Sequence, residues 1–231
     1  MDDVTERLHA VEENIASAAA KAGRQRDEIA LVAVSKTHTA EAVRQIFDCG
    51  HRAFGENRVQ ELLAKVPLLP DAIRWHLIGH LQKNKIRKAL PHCELIHGVD
   101  SADLAEDIDR IAGELGLYPR ILLEVNVSGE GTKFGFTPEV LRSKFEGLLS
   151  LSRVQVEGFM TIAPYSDDAE HSRPHFVALR NLRDELARTG GAPLPVLSMG
   201  MSGDYQVAIE EGATLVRVGA AIFGDRPRAT G

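Results

Sequence analysis

Hydrophobic and polar positions follow two alternating patterns along the chain. Short runs of aliphatic and β-branched residues are each followed by a polar or glycine-containing turn, and then by a stretch with apolar residues three to four positions apart. The first pattern is typical of buried strands and the second of amphipathic helices. The predicted strands are 29–34, 52–54, 73–78, 94–97, 120–127, 154–159, 196–198 and 214–218. The predicted helices are 4–20, 40–48, 57–65, 81–89, 101–115, 138–150, 169–188 and 203–211.

Eight strands that alternate with helices over 231 residues predict one α/β domain, residues 1–231, with the architecture of a (β/α)8 TIM barrel. The alternative is a doubly wound open sheet, which usually has fewer strands. No GxGxxG and no GxxxxGKS or GxxxxGKT motif follows any predicted strand, so the nucleotide sites of such sheets are not indicated. We therefore favour the barrel. We expect the extra N-terminal helix, 4–20, to cover the seam left because no long helix follows the last strand.

Composition and charge exclude several other classes of protein. Hydrophobic residues make up 44% and charged residues 26% of the chain, the balance of an ordinary soluble protein, and the net charge of −6 predicts no nucleic-acid surface. No apolar run approaches the roughly 20 residues of a membrane span, and the acidic start does not resemble a signal peptide. Two cysteines, Cys49 and Cys93, without a CxxC motif predict a reducing cytoplasm, with neither a disulfide framework nor a metal site.

A lysine follows the first predicted strand, where the chemistry of a TIM barrel is located. Lys36 comes two residues after Val34 and four after Val32, so its side chain is expected to point the same way, into the barrel mouth. Partial burial lowers the pKa of a lysine and makes its amine able to form a Schiff base with a carbonyl. The alternative is a lysine that only ends a strand and extends to water.

Two glycine-containing segments follow the last two strands. The segment 198–204 places serines and glycines before a short helix, and Arg217 and Gly219 end the last strand. In TIM barrels the loops after strands seven and eight often bind a phosphate, because free backbone N–H groups are available there. Ordinary tight turns are the alternative for each loop alone. A lysine that can form an imine beside a phosphate site meets the requirement of pyridoxal 5′-phosphate, PLP.

At these residues the sequence resembles the pyridoxal phosphate homeostasis protein family, a PLP-binding barrel similar to the N-terminal domain of alanine racemase (fold type III). The likeness covers nearly the whole chain, and the segment at 197–224 is highly specific. The matching segments are AVSKT at 33–37, FGENRVQE at 54–61, WHLIGHLQKNK at 75–85, NVSGEGTKFGF at 126–136, VEGFMTIAP at 156–164 and LSMGMSGDYQVAIEEGATLVRVGAAIFG at 197–224.

The resemblance implies a role for each matching residue. It implies that Lys36 holds PLP as a Schiff base and that Arg217 faces the pyridine nitrogen, which would leave that nitrogen unprotonated and the cofactor a weak electron sink. The phosphate would contact the Ser202 hydroxyl and the amides of Gly219 and Ala220. Ser198 would lie close to the phosphate, and Asn57 and Met199 would line the ring.

The resemblance also implies a function, intracellular PLP (vitamin B6) homeostasis without a strong reaction of its own. PLP-dependent apoenzymes are possible recipients of the cofactor, and a monomer is favoured over a dimer. The first alternative is a PLP-dependent amino-acid racemase or decarboxylase. Racemisation needs acid/base groups on both faces of the substrate, and the sequence offers only Lys36 as an obvious one, with no residues left for the second domain of the racemases. The second alternative, a phosphosugar enzyme that uses a lysine imine, does not fit the segments SMGMS at 198–202 and VRVG at 216–219.

Four other features have two interpretations each. The basic run of Lys83, Lys85, Arg87 and Lys88 favours a solvated helix face over a surface that attracts phosphate or docks a recipient. Lys133 is a surface lysine or a lid over the mouth. Glu56 either caps the next helix or orients the cofactor. We expect His76 and His80 to hydrogen-bond locally without binding metal, and Trp75 to lie in the core.

Overall fold

The computed structural model describes residues 3–131 and 134–224, and its eight strands form one closed parallel barrel in chain order. The strands are β1 (Ala30–Val34), β2 (Ala53–Glu56), β3 (Arg74–His80), β4 (Leu95–Val99), β5 (Arg120–Glu124), β6 (Gln155–Met160), β7 (Val196–Ser198) and β8 (Leu215–Val218). β8 pairs with β1, which closes the barrel and confirms the predicted (β/α)8 fold.

Helices connect the strands around the outside of the barrel. They are α1 (Asp3–Lys21), α2 (Ala40–Asp48), α3 (Val59–Lys65), α4 (Ile86–Ala89), α5 (Ala102–Leu115), α6 (Pro138–Leu149), α7 (Arg173–Gly190), α8 (Tyr205–Glu210) and α9 (Ala220–Phe223). Within residues 3–131 and 134–224, no helix has the length and apolar character needed to cross a membrane. Cys49 and Cys93 are both free thiols.

Side-chain alternation along the strands produces two separate core layers. The larger layer lies between the barrel and the helices, and it includes Leu31, Ala33 and Phe54. The smaller layer fills the barrel interior. Its buried members are Val32, Val34, Ala53, Ile78, Leu95, Leu122, Met160 and Leu215. Val32 and Val34 therefore point inward, as predicted for the strand that leads to Lys36.

The N-terminal helix covers the part of the barrel next to β8, as predicted. Only the four-residue α9 follows β8 in the described chain, and α1 packs against both α8 and α9. Arg7 Nε donates a hydrogen bond to the carbonyl oxygen of Ile222 at 2.7 Å. Ile15, also on α1, is fully buried. The helix thus completes the outer core layer where a longer eighth helix is missing.

Two elements differ from the sequence prediction. The predicted helix 81–89 is a 3-10 turn at Lys83–Lys85 followed by the single turn α4. A second 3-10 turn follows at Leu90–His92, where Pro91 lacks the N–H that a continuing helix needs. β5 ends at Glu124 instead of continuing to residue 127. Beyond it the chain pairs with the returning loop, where Asn126 N donates to Phe136 O at 2.9 Å and Phe136 N donates to Glu124 O at 2.8 Å.

Gly158 gives a test of the barrel geometry. Its φ is +153°, and a Cβ at this position would lie 1.9 Å from the carbonyl oxygen of Val196 on the neighbouring strand. Because backbone cannot move aside cheaply, we expect Gly158→Ala to lower the free energy of unfolding by about 3 kcal/mol or more. Gly147→Ala, on the exposed face of α6 with open space around it, is the matched control and should raise stability by about 0.5–1 kcal/mol. Urea denaturation measures both, and equal effects would contradict the close contact.

Candidate functional site

The candidate site lies at the carboxyl ends of β1 and β8, which are neighbours in the barrel. The register pairs Val32 with Arg217, so both inward side chains lie in the same layer. Gly219 lies against Val34, since a Cβ at Gly219 would be 3.3 Å from Val34 Cβ. Lys36 follows Val34 by two residues and is half-buried. The fold therefore places Lys36 and Gly219 after the carboxyl ends of two neighbouring strands, with Arg217 buried one layer deeper, at the level of Val32.

The backbone around Lys36 is held on both sides. Thr37 has a φ of +68°, which is uncommon for a residue with a side chain, and its N–H donates to Glu61 Oε2 at 2.8 Å. On the other side Ser35 is fully buried, and its hydroxyl donates to Glu56 Oε1 at 2.7 Å. These contacts fix the point at which Lys36 leaves the strand.

A buried ion pair supports Ser35 from the outer core layer. Lys65 Nζ on α3 donates to Glu56 Oε1 at 2.6 Å and to the Ser35 carbonyl oxygen at 2.8 Å. Burial raises the pKa of Glu56, and the hydrogen bonds from Lys65 and Ser35 oppose that rise. Glu56 faces α3 and bonds Lys65 and Ser35, so its side chain neither caps the helix nor faces the mouth, in contrast to both interpretations of the sequence.

A hydroxyl and two backbone amides converge in the loops after β7 and β8. Ser202 Oγ accepts from Gly219 N at 3.2 Å and from Ala221 N at 3.4 Å. The second amide is that of Ala221, one residue beyond the predicted Ala220, because the chain turns into α9 at this point. Asp204 supports the loop, since its carboxylate accepts from Met201 N at 2.7 Å. N–H donors and a hydroxyl without a carboxylate among them suit an anion.

Below the mouth, four buried side chains form a continuous series of hydrogen bonds that we call the imidazole chain. His76 Nδ1 lies 2.9 Å from His97 Nε2, and His97 Nδ1 lies 2.9 Å from Ser198 Oγ. Arg217 Nη1 donates to Ser198 Oγ at 2.5 Å, and its Nη2 donates to the carbonyl oxygen of Thr161 at 2.9 Å. Ser198, expected near the phosphate, thus bonds to Arg217 and His97, because its strand position points it into the interior.

Burial sets the protonation of the imidazole chain. It lowers the pKa of His76 to about 3 and that of His97 well below the ordinary value, so both rings are neutral at pH 7. Burial also lowers the pKa of Arg217, to about 10, which leaves the guanidinium charged. The chain therefore carries one positive charge, on Arg217.

The two residues expected to line a ring differ in position. The Asn57 side chain is exposed and lies over Gly79, where an added Cβ would be 2.7 Å from Asn57 Oδ1. Met199 is fully buried in the outer core layer, since it follows the inward-facing Ser198 by one residue. The Met199 side chain therefore packs on the outer side of the barrel, and its expected contact with a ring stays a prediction, one that its backbone would make.

The opposite side of the mouth carries acidic and imidazole groups that the sequence analysis did not assign. His80 Nδ1 lies 2.7 Å from Asp100 Oδ2, and the His80 ring stacks on the exposed ring of Phe134 with centroids 4.7 Å apart. Glu124 ends β5 nearby; burial, and secondarily the charge of Asp100, raise its pKa to about 7. Glu124 has the inward parity of Leu122, so period-two alternation could have placed it inside, as it could have placed His97.

The remaining predicted features lie outside the site. Lys83 pairs with Asp107 at 2.8 Å and Arg87 pairs with Glu114, so two members of the basic run form ion pairs with α5, as expected of a solvated face. Trp75 is buried, which confirms its place in the core. Lys133 lies outside the described residues. In the described part of the chain, no group of three His, Cys, Asp or Glu side chains could hold a metal ion.

Comparison with known sequences gives a consistent set of relatives. The family model of the alanine racemase N-terminal domain matches residues 7–227. A pyridoxal phosphate homeostasis protein of Aquifex aeolicus is 47% identical over 222 residues, which cover 96% of this chain and 97% of the relative. A protein of the same name from Homo sapiens is 38% identical over 235 residues, covering 95% of this chain and 85% of the relative.

Solved structures show the same similarity. PipY of Synechococcus elongatus with PLP bound is 42% identical with a TM-score of 0.85, and the match covers 96% of this chain and 100% of PipY. An alanine racemase of Clostridium difficile 630 has a TM-score of 0.76 at 17% identity, and the match covers 99% of this chain and 58% of the racemase. At that identity the racemase shares the fold alone.

The raised pKa of Glu124 predicts a pH-dependent stability. The folded protein holds a proton on Glu124 between pH 4.5 and about 7, where the unfolded chain has released it, so stability falls as pH rises through this window. Glu124→Gln keeps a neutral group at all pH values. We expect it to exceed the parent in unfolding free energy by on the order of 3 kcal/mol at pH 8 and by little at pH 4.5. Urea denaturation of ligand-free protein at both pH values measures the difference.

Glu146→Gln, on the exposed face of α6, is the control for this experiment and should follow the parent profile. A Glu124→Gln protein that follows the parent as well would contradict the burial argument.

Proposed function

Because the chain belongs to the alanine racemase N-terminal domain family, and within it to the pyridoxal phosphate homeostasis proteins, we propose that it binds PLP through Lys36 and acts in PLP homeostasis. Three groups at the ends of β1, β7 and β8 carry this proposal: the Lys36 amine, the Ser202 and Gly219 cradle, and the Arg217 guanidinium one layer below them. PLP offers an aldehyde, a phosphate and a ring nitrogen, one acceptor for each of these donors. The similarity to PipY, whose structure contains PLP, supports the same ligand.

The Lys36 amine would form the covalent link. Its condensation with the aldehyde of PLP would release one water and would hold the cofactor as a Schiff base. The contacts of Ser35 and Thr37 hold the backbone on both sides of this amine. Ser202 Oγ and the Gly219 and Ala221 amides would bind the phosphate, with the predicted Ala220 amide next to them.

Arg217 is the residue that limits the chemistry of the site. A guanidinium is a donor only, so the ring nitrogen that faces it would accept a hydrogen bond and stay unprotonated. PLP held in this way supplies a weak electron sink, which favours storage and delivery over strong catalysis.

The mouth carries side chains that can transfer protons, so a lack of acid/base residues does not argue against the racemase alternative. His80 and Glu124 both lie there, in contrast to the expectation that Lys36 is the one candidate. The names of the relatives favour homeostasis, and the racemases share only the fold.

Three finer statements complete the proposal. We propose that PLP-dependent apoenzymes receive the cofactor, that the chain acts as a monomer, and that it works in the cytoplasm. The two free cysteines support a reducing compartment. Equilibrium sedimentation tests the monomer, and a mass equal to twice that of the chain would contradict it.

Lys36→Ala tests the covalent link. The parent, mixed with PLP, should be yellow, and borohydride should remove the visible band and fix the cofactor to a peptide that contains Lys36. Lys36→Ala should show neither the bound band nor fixation, because no amine is present to form the C=N bond. Lys88→Ala, at an exposed lysine far from the mouth, is the control and should behave as the parent. Fixation at another lysine in the parent would contradict the assignment, and rapid formation of D-amino acid from an L-amino acid would favour the racemase.

Ser202→Ala tests the phosphate contact. Removing the hydroxyl should weaken PLP binding about tenfold, equivalent to about 1.4 kcal/mol, because one hydrogen bond to a charged group is lost. Binding of pyridoxal, which has no phosphate, should change less than twofold. Ser143→Ala, at an exposed serine on α6, is the matched control. Spectroscopic titration with both ligands measures the effect, and equal losses for the two would place the phosphate elsewhere.

A further inference from the structure

The imidazole chain has no role in the covalent link or in phosphate binding, yet it fills the barrel interior below the mouth. Its members come from four different strands: His76 from β3, His97 from β4, Ser198 from β7 and Arg217 from β8. Two of them are histidines that bond to each other instead of to solvent. Apolar side chains of similar size would fill the same space without hydrogen-bond requirements, so the polar chain needs an explanation.

Hydrogen-bond accounting gives the chain a direction. Arg217 can only donate, so Ser198 Oγ accepts from it and its single hydrogen is free to be donated. Within residues 3–131 and 134–224, His97 Nδ1 is the acceptor within reach of that hydroxyl. If His97 Nδ1 carried the proton instead, the hydroxyl hydrogen of a fully buried serine would have no acceptor.

The same accounting continues to the second histidine. With Nδ1 of His97 as an acceptor, the proton of the neutral ring is on Nε2, which then donates to His76 Nδ1. His76 in turn carries its proton on Nε2. Every bond of the chain then has one donor and one acceptor, and a lone pair of Ser198 is directed at Arg217.

The Arg217 guanidinium is held in one orientation as a result. Ser198 Oγ accepts a hydrogen bond from one terminal nitrogen, and the Thr161 carbonyl oxygen accepts one from the other. Both acceptors are buried. A guanidinium is planar, so two anchored nitrogens fix the plane of the whole group. Three of its five N–H groups are left to other acceptors.

We propose that His97 and His76 are positioning residues, which act through Ser198 to orient Arg217 as the hydrogen-bond donor to the ring nitrogen of bound PLP. This inference rests on the proposed function for the identity of the ligand, but the chain itself is a property of the ligand-free protein. According to this proposal, the two buried histidines enable the site to distinguish a ligand ring that has a nitrogen acceptor from a ring that has none.

The first experiment measures the histidine tautomers directly. Nitrogen-15 NMR of the ligand-free protein at pH 7 should show His76 and His97 as neutral rings with the proton on Nε2. A His97 ring with the proton on Nδ1, or a charged ring, would overturn the direction of the chain. This measurement needs neither PLP nor a substitution.

The second experiment compares PLP with its analogue in which the ring nitrogen is replaced by a C–H group. The parent should bind PLP about tenfold or more tightly than the analogue, because only PLP accepts the bond from the Arg217 cation. Ser198→Ala and His97→Phe should bind the two ligands within about twofold of each other. Ser198→Thr keeps the hydroxyl and should recover the discrimination.

His51→Phe is the matched control for loss of a partly buried histidine. His51 Nε2 bonds the carbonyl oxygen of Ala53 outside the imidazole chain, so this variant should keep the parent ratio even if its stability falls. An unchanged ratio of PLP affinity to analogue affinity in Ser198→Ala would overturn the positioning role. An equal loss of this ratio in His51→Phe would overturn it as well.

Borohydride fixation at Lys36 separates this inference from the proposed function. If Ser198→Ala is still fixed to the cofactor but no longer prefers PLP over the analogue, both the proposed function and the positioning role are supported. A parent that shows no fixation would contradict the proposed function, while the tautomers would still decide whether the chain exists.

Discussion

Closure of eight parallel strands into one small barrel is the constraint on which the other features depend. Closure directs every second side chain of each strand inward, and the interior has room for only a few layers of side chains. Val32, Val34 and their counterparts fill the lower layers with apolar groups. The last inward position of each strand is then at the mouth, where Gly219 lies against Val34, two residues before Lys36, although 185 positions separate Val34 from Gly219 in the sequence.

Two buried cations are stabilised in different ways on the two sides of the barrel wall. Lys65, in the outer layer, is paired directly with the Glu56 carboxylate. Arg217, in the interior, hydrogen-bonds two neutral acceptors among the described residues, Ser198 Oγ and Thr161 O. Its charge is therefore not neutralised by a contacting carboxylate. An interior cation of this kind favours an anionic ligand, whereas the paired Lys65 serves the backbone next to Lys36.

The candidate site could be predicted from the sequence where a residue's role follows from its position at a strand end. Lys36, Gly219 and Ser202 are such residues, because the parity of the strand or the glycine loop already places them. Met199 and Ser198 were expected near a ligand from their segment as a whole. Alternation along β7 separates them, with Met199 in the outer core and Ser198 in the imidazole chain. The partner of Glu56 could not be predicted, because Lys65 approaches it from α3 only after the helix packs on the barrel.

The sequence by itself determined the number and order of strands and helices, and hence the barrel, because hydrophobic periodicity is a local property of the chain. It also singled out Lys36, because this lysine follows the first strand with inward parity. Only the tertiary structure decided which polar side chains meet across the barrel. His76, His97, Ser198 and Arg217 come from four strands, and their contacts depend on strand register and barrel closure. Those contacts join residues up to 101 positions apart, and no local pattern of the sequence records them.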